Sequence, residues 1–279
     1  MISGSRDAVR VIEIVGEAAR RFANGQFTNN ARDLPVGAHQ HTALTDDRGR
    51  LQALADLVCL DENRFLLALE GMTTEAFEEQ YRMLLLLEDL EVVVRDEVVH
   101  TVQDVRDAKV ALDGVHWPAP RSIGGGFDVL GALPDAVLAS ARPAAPGELE
   151  ALRIQAGWPA WPVDGSDKQL PHELGIRDTH LHFEKGCYRG QEIIHRVDVM
   201  GQVRKGLVGL RLSGDAAPGT DLIAGGKKVG RLGSSAQHPT LGLIALGVVR
   251  NESAAPGTRL ELDGGSAGGA DVVSLPMRG

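Results

Sequence analysis

The ten residues Phe183-Glu184-Lys185-Gly186-Cys187-Tyr188-Arg189-Gly190-Gln191-Glu192 set one cysteine between two glycines and two cations, Lys185 and Arg189. Glycine at Gly186 and Gly190 permits tight turns and close approach of a ligand to the backbone. Beyond them Glu192, Ile193, Ile194 and Val197 begin a helix, with the three aliphatic residues on one face. A thiol just ahead of a helix N-terminus and beside cations is biased toward thiolate, the reactive form. Gln191 and Glu192 can accept hydrogen bonds from donors on a polar heterocycle. The other cysteine, Cys59, lies in the apolar run from Leu51 to Leu60 and reads as core.

Upstream of this stretch, short strands and helices are mixed. Val9 to Ile14 reads as a strand and Ala18 to Ala23 as a short helix stopped at Asn24-Gly25. Asp46-Asp47-Arg48-Gly49-Arg50 is a turn between two apolar runs, hence a hairpin. Phe65 to Leu69 is a further buried strand. The clearest helix starts at Thr73-Thr74-Glu75 with Thr74 as its cap, and carries Phe77, Tyr81, Leu84 and Leu85 as one apolar stripe. Leu90–Val94 and Val98–Val102 flank Arg95-Asp96-Glu97 like a second hairpin. His116 to Pro120 and Ala141 to Pro146 read as connections, and Gly124-Gly125-Gly126 as a turn into a strand. Those glycines are followed by no Lys-Ser or Lys-Thr pair and lack GxGxxG spacing, so they are not a phosphate loop. Glu148 to Gln155 is a short helix ended by Gly157.

Downstream of Gly201 the texture changes to short β-rich runs, Leu207–Leu210, Lys228–Gly230 and Leu243–Leu246, divided by Gly, Pro and Asp. Ala216-Ala217-Pro218-Gly219-Thr220-Asp221-Leu222 recurs as Ala254-Ala255-Pro256-Gly257-Thr258-Arg259-Leu260. Each copy sets a Pro-Gly turn before a strand, the pattern of a small antiparallel barrel or sandwich. Two domains are therefore expected: an α+β region over 1–200 and a β domain over 201–279.

Composition narrows the function. The chain has 279 residues, 43% hydrophobic and 24% charged, as in ordinary globular proteins. Its net charge of −9 argues against nucleic acid or an anionic membrane as a partner, since both attract basic surfaces. No apolar run approaches the roughly 20 residues needed to span a bilayer, and the first residues lack a signal-peptide core. A cytoplasmic protein is expected. Two cysteines exclude a four-cysteine zinc or cluster site within one chain. His39-Gln40-His41 and His180-Leu181-His182 each place two imidazoles on one strand face. No third ligand is spaced to complete either pair, so hydrogen-bonded or solvated histidines are expected rather than a metal site.

The segment Lys185-Gly186-Cys187-Tyr188-Arg189-Gly190-Gln191-Glu192 resembles the K-G-C-Y-x-G-Q-E signature of the YgfZ group of folate-binding proteins, relatives of the glycine cleavage T-protein, an aminomethyltransferase. Other stretches carry the same resemblance. Gly25 to Asn30 is similar to G-Q-x-T-N-D, Arg48 to Leu51 to K-G-R-I, Leu152 to Gly157 to L-R-L-E-A-G, and Leu170 to Gly175 to L-P-x-E-x-G. The resemblance implies an α+β fold, a cloverleaf of modules around a central folate pocket with a C-terminal antiparallel β-barrel. It implies tetrahydrofolate or a derivative as cofactor, and iron–sulfur client or assembly proteins as partners. It places the functional thiol on Cys187 and folate contacts on Lys185, Tyr188, Gln191, Glu192 and Asn29. Arg153, in the L-R-L-E-A-G segment, is a plausible partner for a folate carboxylate or pterin oxygen, because guanidinium binds such groups in a bidentate way.

Two departures bear on the activity. Where the aminomethyltransferases carry two acids after a glycine turn, in G-G-x-I-D-D, this chain has Ala53 and Leu54, and Asp56 is offset. The last acid of T-N-D is replaced by the amide of Asn30. Without the acid pair no evident group manages proton traffic during transfer to folate. The expected function is therefore tetrahydrofolate binding in support of iron–sulfur cluster synthesis or repair through Cys187. A folate-dependent aminomethyl or one-carbon transferase is the alternative.

Overall fold

Alternating apolar positions put one face of each short strand in the core, and glycine or proline turns deliver the chain to the next strand. The computed structural model describes residues 1–106, 112–166, 168–201, 203–263 and 268–278. In chain order its elements begin with β1 (Ile2–Ser5), β2 (Val9–Val15), α1 (Ala19–Gln26), β3 (His39–Thr45), β4 (Leu51–Asp61), β5 (Arg64–Glu70), α2 (Thr74–Leu87), β6 (Glu91–Arg95) and β7 (Val99–Gln103). Then come β8 (His116–Pro118), β9 (Gly126–Leu130), α3 (Asp135–Leu138), β10 (Arg142–Pro143), α4 (Glu148–Ala156), α5 (Arg177–His180) and α6 (Gln191–Met200). The last strands are β11 (Lys205–Leu212), β12 (Asp221–Ala224), β13 (Lys227–His238), β14 (Gly242–Arg250), β15 (Arg259–Leu262) and β16 (Gly269–Val273). The fold is α+β. The described residues fall into two compact units, one drawn from Met1–Ser5, His100–Ser166 and Val203–Gly279, the other from Arg6–Val99 and Asp167–Gln202.

The second unit holds a five-stranded sheet in the order β3-β4-β5-β2-β6. Its core joins Ile12, Ile14, Leu57 and Phe65 of the strands to Phe22 of α1 and to Phe77, Tyr81 and Leu85 of α2. Phe22 meets Phe27 and Tyr81 edge-on, with ring centres 6.0 and 5.3 Å apart, the arrangement that opposed ring quadrupoles favour. Helix α2 is capped by Thr73, one residue before the expected Thr74, and the Thr73 hydroxyl accepts the Ala76 N–H. Helix α1 runs past Asn24-Gly25 to Gln26, because the Phe27 N–H still bonds the Ala23 carbonyl.

The hairpin expected across Arg95-Asp96-Glu97 does not form. β6 pairs with β2, whereas β7 pairs with β1 in a different sheet. The buried Glu13 of β2 accounts for the choice: Arg95 of β6 and Arg64 of β5 both bond its carboxylate, and a buried carboxylate needs such partners.

The first unit contains the sheet β10-β1-β7-β9-β8 and a closed barrel, β11-β14-β13-β12-β15-β16. Two segments expected as plain connections supply strands to that sheet. His116–Pro118 pairs with β9, and Arg142-Pro143 runs parallel to β1. All barrel pairings are antiparallel, around a core of Leu210, Leu222, Leu232, Val249, Leu260 and Val272. The sequence repeat is a structural repeat. Gly219 and Gly257, at φ of 95° and 89°, donate to the carbonyls of Leu232 and Val272. Those two residues in turn donate to the carbonyls of Thr220 and Thr258. The strands that follow, β12 and β15, pair with each other. Helix α4 ends at Gly157, which takes the left-handed cap at φ 78°, and packs Ile154 against Ile244 and Leu246 of the barrel and Met277 after it.

Candidate functional site

Lys185 holds the cysteine segment in place. Its side chain is buried, and its ammonium donates to the carbonyls of Phe27 at 2.6 Å and Asn29 at 2.7 Å. It also lies 4.9 Å from the centre of the Tyr188 ring. Burial pushes its pKa down to about 7, and the nearby Arg32 cation adds to the shift. Lys185 thus joins residues 25–30 to residues 185–192.

Further bonds tighten the same junction. The Arg189 N–H donates to the Gly25 carbonyl, and the Thr45 hydroxyl donates to the Arg189 carbonyl at 2.7 Å. The Thr28 hydroxyl donates to the His180 carbonyl at 2.7 Å, and the Thr28 carbonyl accepts the His182 N–H. Gly190, at φ 81°, starts α6 against the hairpin turn. A Cβ there would stand 2.5 Å from the Asp46 carbonyl oxygen and 2.8 Å from Gly49 Cα. The Leu51 N–H donates to the Gln169 carbonyl, and Glu173 accepts from the Gln169 amide and the Leu170 N–H. Four separate sequence motifs therefore meet in one unit.

Their meeting leaves a cleft of about 410 Å³ lined by Gln26, Asp47, Gln80, Tyr81, Cys187, Tyr188 and Arg189 among others. Cys187 is exposed at this cleft, while Cys59 is fully buried. Burial pushes the Cys59 thiol up and the Tyr81 and Tyr188 hydroxyls up to about 12. The Gln80 amide nitrogen and the Tyr81 hydroxyl are buried and, among the described residues, have no partner in full hydrogen-bonding geometry, although Gln80 and Arg189 lie beside the Tyr81 hydroxyl. Buried polar atoms of this kind are costly unless something bonds them.

The residues expected at the site divide. Cys187 and Tyr188 line the cleft. Lys185, expected to flank the thiol, instead bonds two carbonyls, and Arg189 pairs with Asp47 at 2.7 Å. The Gln191 side-chain oxygen accepts the Tyr188 N–H, so it closes the turn into α6. Asn29 donates to the carbonyls of His41 and Thr179 and accepts the Asn30 N–H. Glu192 is exposed in the first turn of α6. Arg153 belongs to the other unit. It is buried there and donates to Asp164, Glu150, the Ser234 hydroxyl and the Trp158 carbonyl. Its fork is taken up by these protein acceptors. Gln80 and Tyr81 of the cleft were legible only as a helix, because their contact with the cysteine segment is long-range.

A second constellation lies on β3 and β4. His41 Nδ1 and Asp56 Oδ1 are 2.6 Å apart, and His39 Nε2 is 3.5 Å from the same oxygen. Arg6 donates to the other Asp56 oxygen at 3.3 Å and to Glu70 at 2.9 Å. The His180 ring stacks on His41, with ring centres 5.3 Å apart. The third group that the spacing around His39 and His41 did not supply thus comes from the neighbouring strand. A bulge explains why: the pairing shifts between Leu44 and Thr45. Counting back from the turn without it would set His41 opposite Ala55 and turn Asp56 to the other face. The positions of the missing acid pair, Ala53 and Leu54, are buried and apolar.

Comparison with known proteins fits this architecture. Residues 205–277 match the glycine cleavage T-protein C-terminal barrel domain. The chain is 32% identical over 139 residues to an aminomethyltransferase of Moorella thermoacetica, covering 48% of this chain and 37% of that protein. It is 37% identical over 75 residues to the tRNA-modifying protein YgfZ of Yersinia enterocolitica, covering 26% of this chain and 23% of the relative. With the dimethylsulfoniopropionate demethylase DmdA of Ruegeria pomeroyi it shares 27% identity over 199 residues, 63% of this chain and 52% of that one. The matches thus span about a quarter to a half of the length of these relatives. Among solved structures, the glycine cleavage system aminomethyltransferase T of Bartonella henselae superposes with a TM-score of 0.79 at 18% identity, over 98% of this chain and 85% of that one. Residues 205–277 thus match the glycine cleavage T-protein C-terminal barrel domain and fold as a closed barrel, and the fold of the whole chain is similar to that of the Bartonella henselae aminomethyltransferase.

Proposed function

We propose that this protein binds a tetrahydrofolate in the cytoplasm and supports iron–sulfur cluster synthesis or repair in client enzymes through Cys187. The observation that carries the reading is the exposed Cys187 beside a cleft lined by three buried polar groups, the Gln80 amide and the Tyr81 and Tyr188 hydroxyls, without full hydrogen-bonding geometry among the described residues. The cleft volume of about 410 Å³ falls within the few hundred Å³ common for small-molecule sites. A pterin ring offers both donors and acceptors on a flat edge, so the Gln80 amide and the Tyr81 hydroxyl suit it chemically. Arg189, paired with Asp47 at 2.7 Å in the same wall, would exchange that pairing for the anionic tail of the cofactor. When bound, the folate would supply one-carbon chemistry. The protein's own part is to hold the ring and to present the Cys187 thiol at its edge.

The transferase alternative lacks its acids. Ala53 and Leu54 cannot move a proton, and the nearest carboxylate on that strand, Asp56, is committed to His41 and Arg6. Calorimetric titration with tetrahydrofolate tests the binding step. A saturable heat at micromolar ligand, on the order of −8 kcal/mol, is expected, and no heat at millimolar ligand would remove the folate reading. Loss of iron–sulfur enzyme activity in cells carrying Cys187→Ser, with folate binding retained, tests the thiol separately.

A further inference from the structure

We propose that His39, His41 and Asp56 form a binding site for a divalent transition-metal ion of the zinc type. Strand alternation puts both imidazoles on one face of β3, and the bulged register brings Asp56 of β4 across from His41. The three donor atoms all lie within 4.8 Å of one another. The decisive group is His39. Its side chain is 9% exposed, and its buried Nε2 has no hydrogen-bond partner among the described residues and stands 3.5 Å from Asp56 Oδ1. Leaving such a nitrogen unmatched is costly, and an ion seated between the three donors would offset that cost.

The donor chemistry selects the class of ion. Two neutral imidazoles and one carboxylate suit zinc or ferrous ion rather than calcium or magnesium, which prefer oxygen alone. In a tetrahedral centre with bonds near 2.0–2.1 Å the donors stand about 3.3 Å apart. The His39–Asp56 separation of 3.5 Å already matches. The His41–Asp56 separation of 2.6 Å is that of a hydrogen bond, so the ion takes the place of the shared proton. His41 stays a neutral imidazole by carrying its single ring proton on Nε2, which leaves Nδ1 free to bind the ion. Arg6 bonds the opposite oxygen of Asp56 and is itself balanced by Glu70, so it orients the carboxylate from behind. Three protein ligands leave one position of the centre open, as in catalytic rather than structural zinc sites.

The test uses the full-length protein freed of metal with a chelator. Zinc chloride titrated by calorimetry is expected to bind at one equivalent per chain with micromolar or tighter affinity. Cobalt(II) should give visible bands of four-coordinate intensity without thiolate-to-cobalt absorption, since neither cysteine is a ligand. His39→Gln and Asp56→Asn should each weaken zinc binding by about ten-fold or more. In the unsubstituted protein, zinc should shift the imidazole NMR signals of His39 and His41 and leave that of His116 in place, which keeps the test decisive if a variant fails to fold. No saturable binding at roughly 100 μM ion, unmoved His39 and His41 signals, or affinity unchanged in both variants would overturn the proposal.

Discussion

Cys187 and Cys59 differ in one physical respect that labelling reads directly. Cys187 is exposed beside the cleft, whereas Cys59 is fully buried with its thiol pushed up by desolvation. Only the thiolate reacts with an alkylating reagent, so at neutral pH Cys187 should be modified well before Cys59. Mass spectrometry of iodoacetamide-treated protein over time checks this, and equal labelling only after denaturation would place Cys187 in the core. Lys185 makes a different prediction. Its folded pKa is about 7 against an ordinary 10.5, so between those values the unfolded chain holds a proton that the folded chain has released. More protons on the unfolded state means that stability rises with pH. The burden of the buried charge is full below about pH 7 and is relieved as pH climbs toward about 10.5. Urea denaturation at stepped pH should show this rise in the parent protein and a flatter profile in Lys185→Met. Identical pH profiles would show that the ammonium is not desolvated.

At the scale of elements, the start of α6 is where two turns are forced together. Gly190 has φ 81°, and a Cβ there would collide with the Asp46 carbonyl and Gly49. The left-handed conformation alone costs a residue with a Cβ roughly 1–2 kcal/mol, and the backbone contact adds to it. Gly190→Ala should therefore destabilise the protein by more than about 2 kcal/mol and displace the cysteine segment. The Thr73 cap gives a local reference: Thr73→Ala removes the hydroxyl that accepts the Ala76 N–H and should cost about 1 kcal/mol. Chemical denaturation of both variants reads the ratio, and a Gly190→Ala loss smaller than that of Thr73→Ala would show that the turns are free to separate.

At the scale of the whole molecule, ligand linkage and chain cleavage are the natural probes. A ligand present at about 100 times its dissociation constant stabilises the native state by about 2.7 kcal/mol. Tetrahydrofolate at that excess should raise the thermal midpoint of the parent protein and of Cys187→Ser alike, because the thiol is assigned to chemistry and not to holding the ring. A midpoint unmoved by folate would sink the binding proposal. For domains, we propose that limited proteolysis cuts first near Gly201, the left-handed cap of α6 just before the barrel strand β11. First cleavage inside the barrel strands would count against a β domain over 201–279.

The sequence by itself determined the elements whose signals are local. The Pro-Gly repeat at Gly219 and Gly257, the Gly157 cap, the hairpin at Gly49 and the stripe of Phe77 and Tyr81 all act within a few residues, so their conformations are written in neighbouring side chains. The cysteine signature likewise pointed to the segment that the structure places at the cleft. Only the tertiary structure decided what depends on distant partners. The buried Glu13 drew β6 away from β7, and a local reading of Arg95-Asp96-Glu97 cannot register a carboxylate some eighty residues earlier in the chain. The acceptors of Arg153, Asp164 and Ser234, lie 11 and 81 residues from it and carry no local signal. The bonds from the Lys185 ammonium to the carbonyls of Phe27 and Asn29 span more than 150 residues and are likewise set by the tertiary structure. The joining of His41 to Asp56 rested on one bulge, and a single-residue shift of register reverses the face of every side chain beyond it.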